Sequence, residues 1–250
     1  MNDEPAARRY LDGAIEILRR IADDESEAIT AAGDRIAESI TDGARLFALG
    51  CGHSALAVQE LVYRAGGLML VNPLLAPGAD GVTVRPVTLS SDLEKMPGYG
   101  PTVVDSSPLR RGDVLIVVSL SGRNAMPVQA AQRARQIGAT VVAVTSSAYE
   151  DLPARDEVGE RLVDASDIVL DTNVPLGDAI LTTDGVPQPY APASGIATGA
   201  VLQSLVTAVI DGMLARGVTP PVFLSANLDG GSEWNAALLK EHRERIFYMN

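Results

Sequence analysis

Five short apolar runs, set among stretches of helical period, constrain the fold of this chain more than any other feature. They are RLFALG (45–50), LMLVN (68–72), DVLIVV (113–118), TVVAVT (140–145) and DIVLD (167–171). Each is continuously apolar rather than alternating, the pattern of a strand buried on both faces. Strands that alternate with helices imply a parallel sheet with helices packed on both sides.

The intervening stretches fit that scheme. Residues 5–41 carry apolar positions at three- and four-residue spacing: Ile15, Leu18, Ile21 and Ala22, then Ile29, Ala32, Ile36 and Ile40. A break is expected near Asp23-Asp24-Glu25. SALAVQELVYRAGG predicts a helix closed by Gly66-Gly67. Residues 73–112 hold six prolines and predict a long decorated connection, with one short helix near SDLEKM, placed to cover a site. GIATGAVLQSLVTAVIDGMLARG predicts a long helix ending at Gly217, and SEWNAALLKEHRERIFYM a last amphipathic helix. The expected organisation is one domain over 1–250: N-terminal helices (1–41), an α/β core (42–217), and a C-terminal connection and helix (218–250).

Composition narrows the function. A hydrophobic content of 46% supports a core, and a net charge of −12 argues against a nucleic-acid or anionic-membrane surface. The single cysteine, Cys51, excludes an internal disulfide and a multi-cysteine zinc site. The N-terminus MNDEPAARRY has no apolar signal core, and no run of about 20 apolar residues is read, so no membrane span is expected. A cytoplasmic protein is the expectation.

Two strand-to-helix turns carry the chemistry. In GCGHS (50–54), Gly50 and Gly52 permit tight backbone geometry, and Ser54 sets a hydroxyl at a helix start. In SLSGRN (119–124), Ser119 and Ser121 alternate, Gly122 gives backbone freedom, and Asn124 opens the next helix. Unpaired N–H groups at helix starts suit anions, so either turn can cradle a phosphate. Each is also compatible with ordinary helix capping. The GxGxxG, GxxxxGK[ST] and GxSxG patterns are all absent. Cys51, at a buried strand end, is not expected to be a nucleophile.

These motifs resemble the sugar isomerase (SIS) domain over roughly residues 30–215. GCGHSALAVQELVYRAGG, SDLEKMPGYG and VFLSANLDGG are similar to the stand-alone proteins of the UPF0309 group. The resemblance implies a three-layer α-β-α sandwich with an open parallel sheet, flavodoxin-like, and a homodimer with sites near the interface. It implies a sugar phosphate held by Ser119, Ser121 and Asn124, with asparagine standing where threonine or serine is usual. Ser54 matches the serine of the first turn; Gly52, His53 and Gly122 complete the binding set, His53 being equally readable as an ordinary loop residue.

Aldose–ketose isomerisation requires a base for the C2 proton and an acid for the ring or carbonyl oxygen, and no metal or organic cofactor. Glu60 lies about 9 Å of helical rise from Ser54, and SIS isomerases use a glutamate from this helix, so it is the candidate base. It is equally placed to pair with Arg64 at i,i+4. His242, one of two histidines, is the candidate acid, by resemblance to isomerases that bring in a C-terminal histidine, in some cases from a neighbouring subunit. Its charged surroundings also fit a surface histidine. Elimination on an N-acetylhexosamine 6-phosphate uses the same base and acid, and a non-catalytic phosphosugar sensor would need neither.

Overall fold

The computed structural model describes residues 4–155 and 159–249. Helix α1 (Ala6–Arg20) passes through a π-helical turn at Ile21–Glu25 into α2 (Ser26–Thr41), so the expected break is a local widening within a continuous helical run. Then follow β1 (Leu46–Gly50), α3 (His53–Gln59), β2 (Val71–Pro73), α4 (Thr88–Glu94), α5 (Tyr99–Asp105), β3 (Val114–Val118), α6 (Ala125–Ile137), β4 (Thr140–Thr145) and β5 (Ile168–Asp171). An antiparallel pair, β6 (Ala179–Leu181) and β7 (Tyr190–Pro192), precedes α7 (Ser194–Ala215) and α8 (Gly231–Glu241).

Five strands form one parallel sheet in the order β2-β1-β3-β4-β5. Alternation along β1 divides the core: Leu46 and Ala48 face α2 and α7, with Ile36, Ile40 and Leu205, while Phe47 and Leu49 face α5 and α6, with Met126 and Ala130. Three layers result, as expected. The α2–α7 contact is close because a Cβ on Gly33 would strike Ala208. Helix α7 is long and apolar enough, by length and composition alone, to cross a membrane, as a core helix also can be. Half of it is buried, with Ala197, Val201, Leu205 and Val209 in the core.

Other departures have tertiary causes. Helix α3 stops at Gln59, short of Gly66, because Tyr63 turns to φ 50° and meets Phe223 edge-on at 5.2 Å. LMLVN pairs in the sheet only from Val71, since Leu68 instead bridges Val222. Helix α8 ends at Glu241; Ile246 is extended, and Phe247 N–H donates to Asn72 Oδ1 at 2.7 Å.

Candidate functional site

The chain runs from β1 outward to β2 and then returns to place β3 on β1's other side. The crevice at such a switch in strand order, beyond the strands' carboxyl ends, is where open α/β sheets take ligands. GCGHS follows β1 and SLSGRN follows β3, so the strand order sets the two turns side by side.

The first turn is shaped by its glycines. A Cβ on Gly50 would lie 2.5 Å from the Ser54 carbonyl oxygen. Gly52 stands at φ 54°, ψ −127°, and its N–H donates to Ala79 O at 2.8 Å. His53 is exposed and Ser54 half-buried at the start of α3; neither side chain is hydrogen-bonded among the described residues.

In the second turn, Gly122 at φ 59° donates its N–H to Ser119 O (3.1 Å) and Oγ (3.3 Å). Ser119 is buried and braces the turn, whereas the half-buried Ser121 hydroxyl is unpartnered among the described residues. Asn124 precedes the 13-residue α6 in extended conformation and makes no side-chain cap. Its Nδ2 instead donates to Glu94 Oε1 at 2.8 Å.

Two groups here were missed in the sequence. Helix α4 roofs both turns: buried Ser90 Oγ lies 3.8 Å from where a Gly52 Cβ would stand, and Glu94 holds Asn124. The proline-rich connection was expected to cover a site, but nothing in SDLEKM marked which carboxylate would turn inward. On the other flank, Arg123 Nε donates to Pro153 O at 2.6 Å, and Arg161 Nη2 to Ser121 O at 3.4 Å. Burial, and the charges of Arg155 and Arg161, lower the Arg123 pKa. Three arginines thus gather beside the turn, two of them brought in by a loop with no motif.

The candidate catalytic residues are not brought to these turns in the same way. Glu60 caps the end of α3, is 67% exposed at its side chain, and forms an ion pair with Arg64, the i,i+4 partner anticipated. Gln203 of α7 reaches its carbonyl at 3.5 Å. His242 follows α8, and three residues on Arg245 donates to the carbonyls of Ile40 and Ala44. That is the amino end of β1, a strand length of about 16 Å from the turns; within one chain His242 stands apart from them. Burial holds its pKa below the ordinary value, opposed by Glu241 and reinforced by Arg245. The buried Cys51 thiol is pushed far up, first by burial and then by Glu94 and Asp80, in keeping with an inert thiol. No cluster of three or more His, Cys, Asp or Glu suited to a metal occurs among the described residues.

An open parallel sheet with paired loop-to-helix turns at its switch point defines a protein of the doubly wound α/β class. The chain belongs to the SIS domain family, which matches residues 9–146, and to its UPF0309 group. It is 50% identical over 251 residues to a UPF0309 protein of Streptomyces griseus, covering all of both chains. Among solved structures, a phosphoheptose isomerase from Francisella tularensis has a TM-score of 0.52 at 16% identity, covering 86% of this chain and all of that one. The sugar isomerase domain of an RpiR transcription factor from Sphaerobacter thermophilus has a TM-score of 0.51 at 19% identity, covering 96% and 99%. These likenesses establish the fold.

Proposed function

We propose that the chain is an enzyme acting on a sugar 6-phosphate, a hexosamine or N-acetylhexosamine 6-phosphate, by removing the C2 proton and giving aldose–ketose isomerisation. The observation that carries this reading is the adjacency of the two turns at the switch point, with the Ser54 and Ser121 hydroxyls unengaged and the N–H groups of α6 beside them. The phosphate sits on 119–124. Glu60 takes the C2 proton once its pair with Arg64 opens, leaving a 1,2-enol that carries the C2 nitrogen; reprotonation at C1 gives a C2 imine, and water hydrolyses it to the ketose with release of ammonia, or of acetamide from the N-acetyl sugar. His242, contributed by the neighbouring subunit of a homodimer, serves the sugar oxygens. Its lowered pKa leaves it neutral near pH 7, so it must accept a proton in ring opening before it can return one.

A second reading is a phosphosugar sensor. It is favoured by the exposure of Glu60 and its pairing with Arg64.

The test is incubation in D2O with a panel of sugar 6-phosphates, followed by NMR. Deuterium at C2 of the recovered aldose, or at C1 of a ketose product, supports isomerisation. An unsaturated product from an N-acetylhexosamine 6-phosphate marks elimination of the C3 substituent instead. Binding without exchange leaves the sensor.

A further inference from the structure

The corner between the two turns is not built for an anion alone. Asn124 is 9% exposed, and its Nδ2 is committed to Glu94. Its buried Oδ1 receives no hydrogen bond among the described residues. Glu94 itself is half-buried and has no cationic partner within 4 Å among the described residues. Asp80 reaches the same corner: it accepts from Ala76 N–H at 2.6 Å, and with Glu94 it bears on the Cys51 thiol at the end of β1.

A buried acceptor without a donor costs about 1–3 kcal/mol. An unpaired carboxylate beside a phosphate cradle adds repulsion when a purely anionic ligand enters. A phosphate ligand whose sugar carries a cationic donor within reach of this corner removes both costs. An ammonium has three N–H donors and no acceptor, enough for Glu94 and for Asn124 Oδ1 together. A hydroxyl brings a donor without charge. An N-acetyl group brings one neutral N–H and turns a carbonyl acceptor toward the carboxylates.

We infer that the site takes an amino-sugar phosphate with a free ammonium group, received by Glu94 and Asn124 Oδ1, in preference to its hydroxyl or N-acetyl counterpart. The inference rests on the phosphosugar reading of the same site.

The test is calorimetric titration of the full chain, with chelator present, using glucosamine 6-phosphate, glucose 6-phosphate and N-acetylglucosamine 6-phosphate. The first should bind at least about tenfold more tightly than the others. Glu94→Gln should bring the three within about threefold. Raising the pH through the sugar amine's own pKa should erase the preference in the unsubstituted protein and leave glucose 6-phosphate affinity unchanged. Equal binding of the three ligands by the unsubstituted protein, or a preference that survives in Glu94→Gln, overturns the inference and leaves the phosphosugar reading standing. Binding of none of the three overturns both. The unsubstituted protein's own ranking decides the matter even where the variant fails to fold.

Discussion

Arg45 and Asp113 fasten the amino ends of β1 and β3 to each other. Arg45 donates from Nε at 2.9 Å and Nη2 at 2.6 Å to Asp113 Oδ2, and from its backbone N–H at 2.9 Å to Oδ1. The two side chains are 8% and 1% exposed. The pair stands one residue before the register Leu46↔Val114, which runs to Gly50↔Val118. The alignment of the two ligand turns therefore begins at this buried ion pair, a strand length away.

Removing one partner leaves the other charge buried without compensation, which costs about 3–5 kcal/mol. Asp113→Ala should lose stability on that scale in urea unfolding. The double variant Arg45→Met, Asp113→Leu should lose less than the sum of the two single changes. A loss below about 1 kcal/mol in Asp113→Ala would mean the pair behaves as a surface ion pair.

Gly50 carries a narrower constraint. Its missing Cβ is 2.5 Å from the Ser54 oxygen and 2.6 Å from the Ser54 carbonyl carbon, both backbone atoms that cannot move without opening the turn. Gly50→Ala should abolish phosphosugar binding and lower the melting temperature. Gly66→Ala, at φ 79° in open space, should cost only about 1–2 kcal/mol of backbone strain and leave binding intact. Equal effects of the two on ligand titration would refute the steric account of the first turn.

Ser119 and Ser121 divide their work. The Ser119 hydroxyl is bonded within the turn, and the Ser121 hydroxyl is open. Ser121→Ala should weaken phosphosugar binding about tenfold, as loss of a hydrogen bond to a charged group does, without changing the melting temperature. Ser119→Ala should lower both. Calorimetry and thermal unfolding on the two variants separate these outcomes.

The sheet was legible because continuous apolar runs such as DVLIVV have no other stable place than between two layers. The turns were legible because glycine and serine at strand ends have few uses. Glu94 and the arginine group were not, since their position depends on how a proline-rich connection, Arg155 and Arg161 return to the turns, which no local period encodes. The end of α3 was misplaced for a similar reason: Tyr63 obeys Phe223, distant in sequence, rather than the helical period of its neighbours.

His242 joins Glu60 only through resemblance, and within one chain it stands apart from the two turns. If two subunits share each site, Glu60→Gln and His242→Gln should each be inactive alone. Co-expressed, they should recover about a quarter of full activity, because half of randomly paired dimers hold one intact site of two. A mixture as inactive as its parents removes His242 from the shared site.

His242 makes a prediction independent of catalysis. Burial disfavours its charged form, so the folded protein binds that proton less tightly than the unfolded chain, whose histidine titrates near 6.5. Stability then rises with pH through the interval below and up to 6.5, and falls as acid protonates the ring. Glu241 opposes the shift and Arg245 adds to it, so both belong to the same titration. The difference in unfolding free energy between the unsubstituted protein and His242→Gln should change with pH across that interval and be constant above it. A difference that is flat throughout would show that the imidazole is solvated in the folded protein, and would leave its half-buried position without energetic consequence.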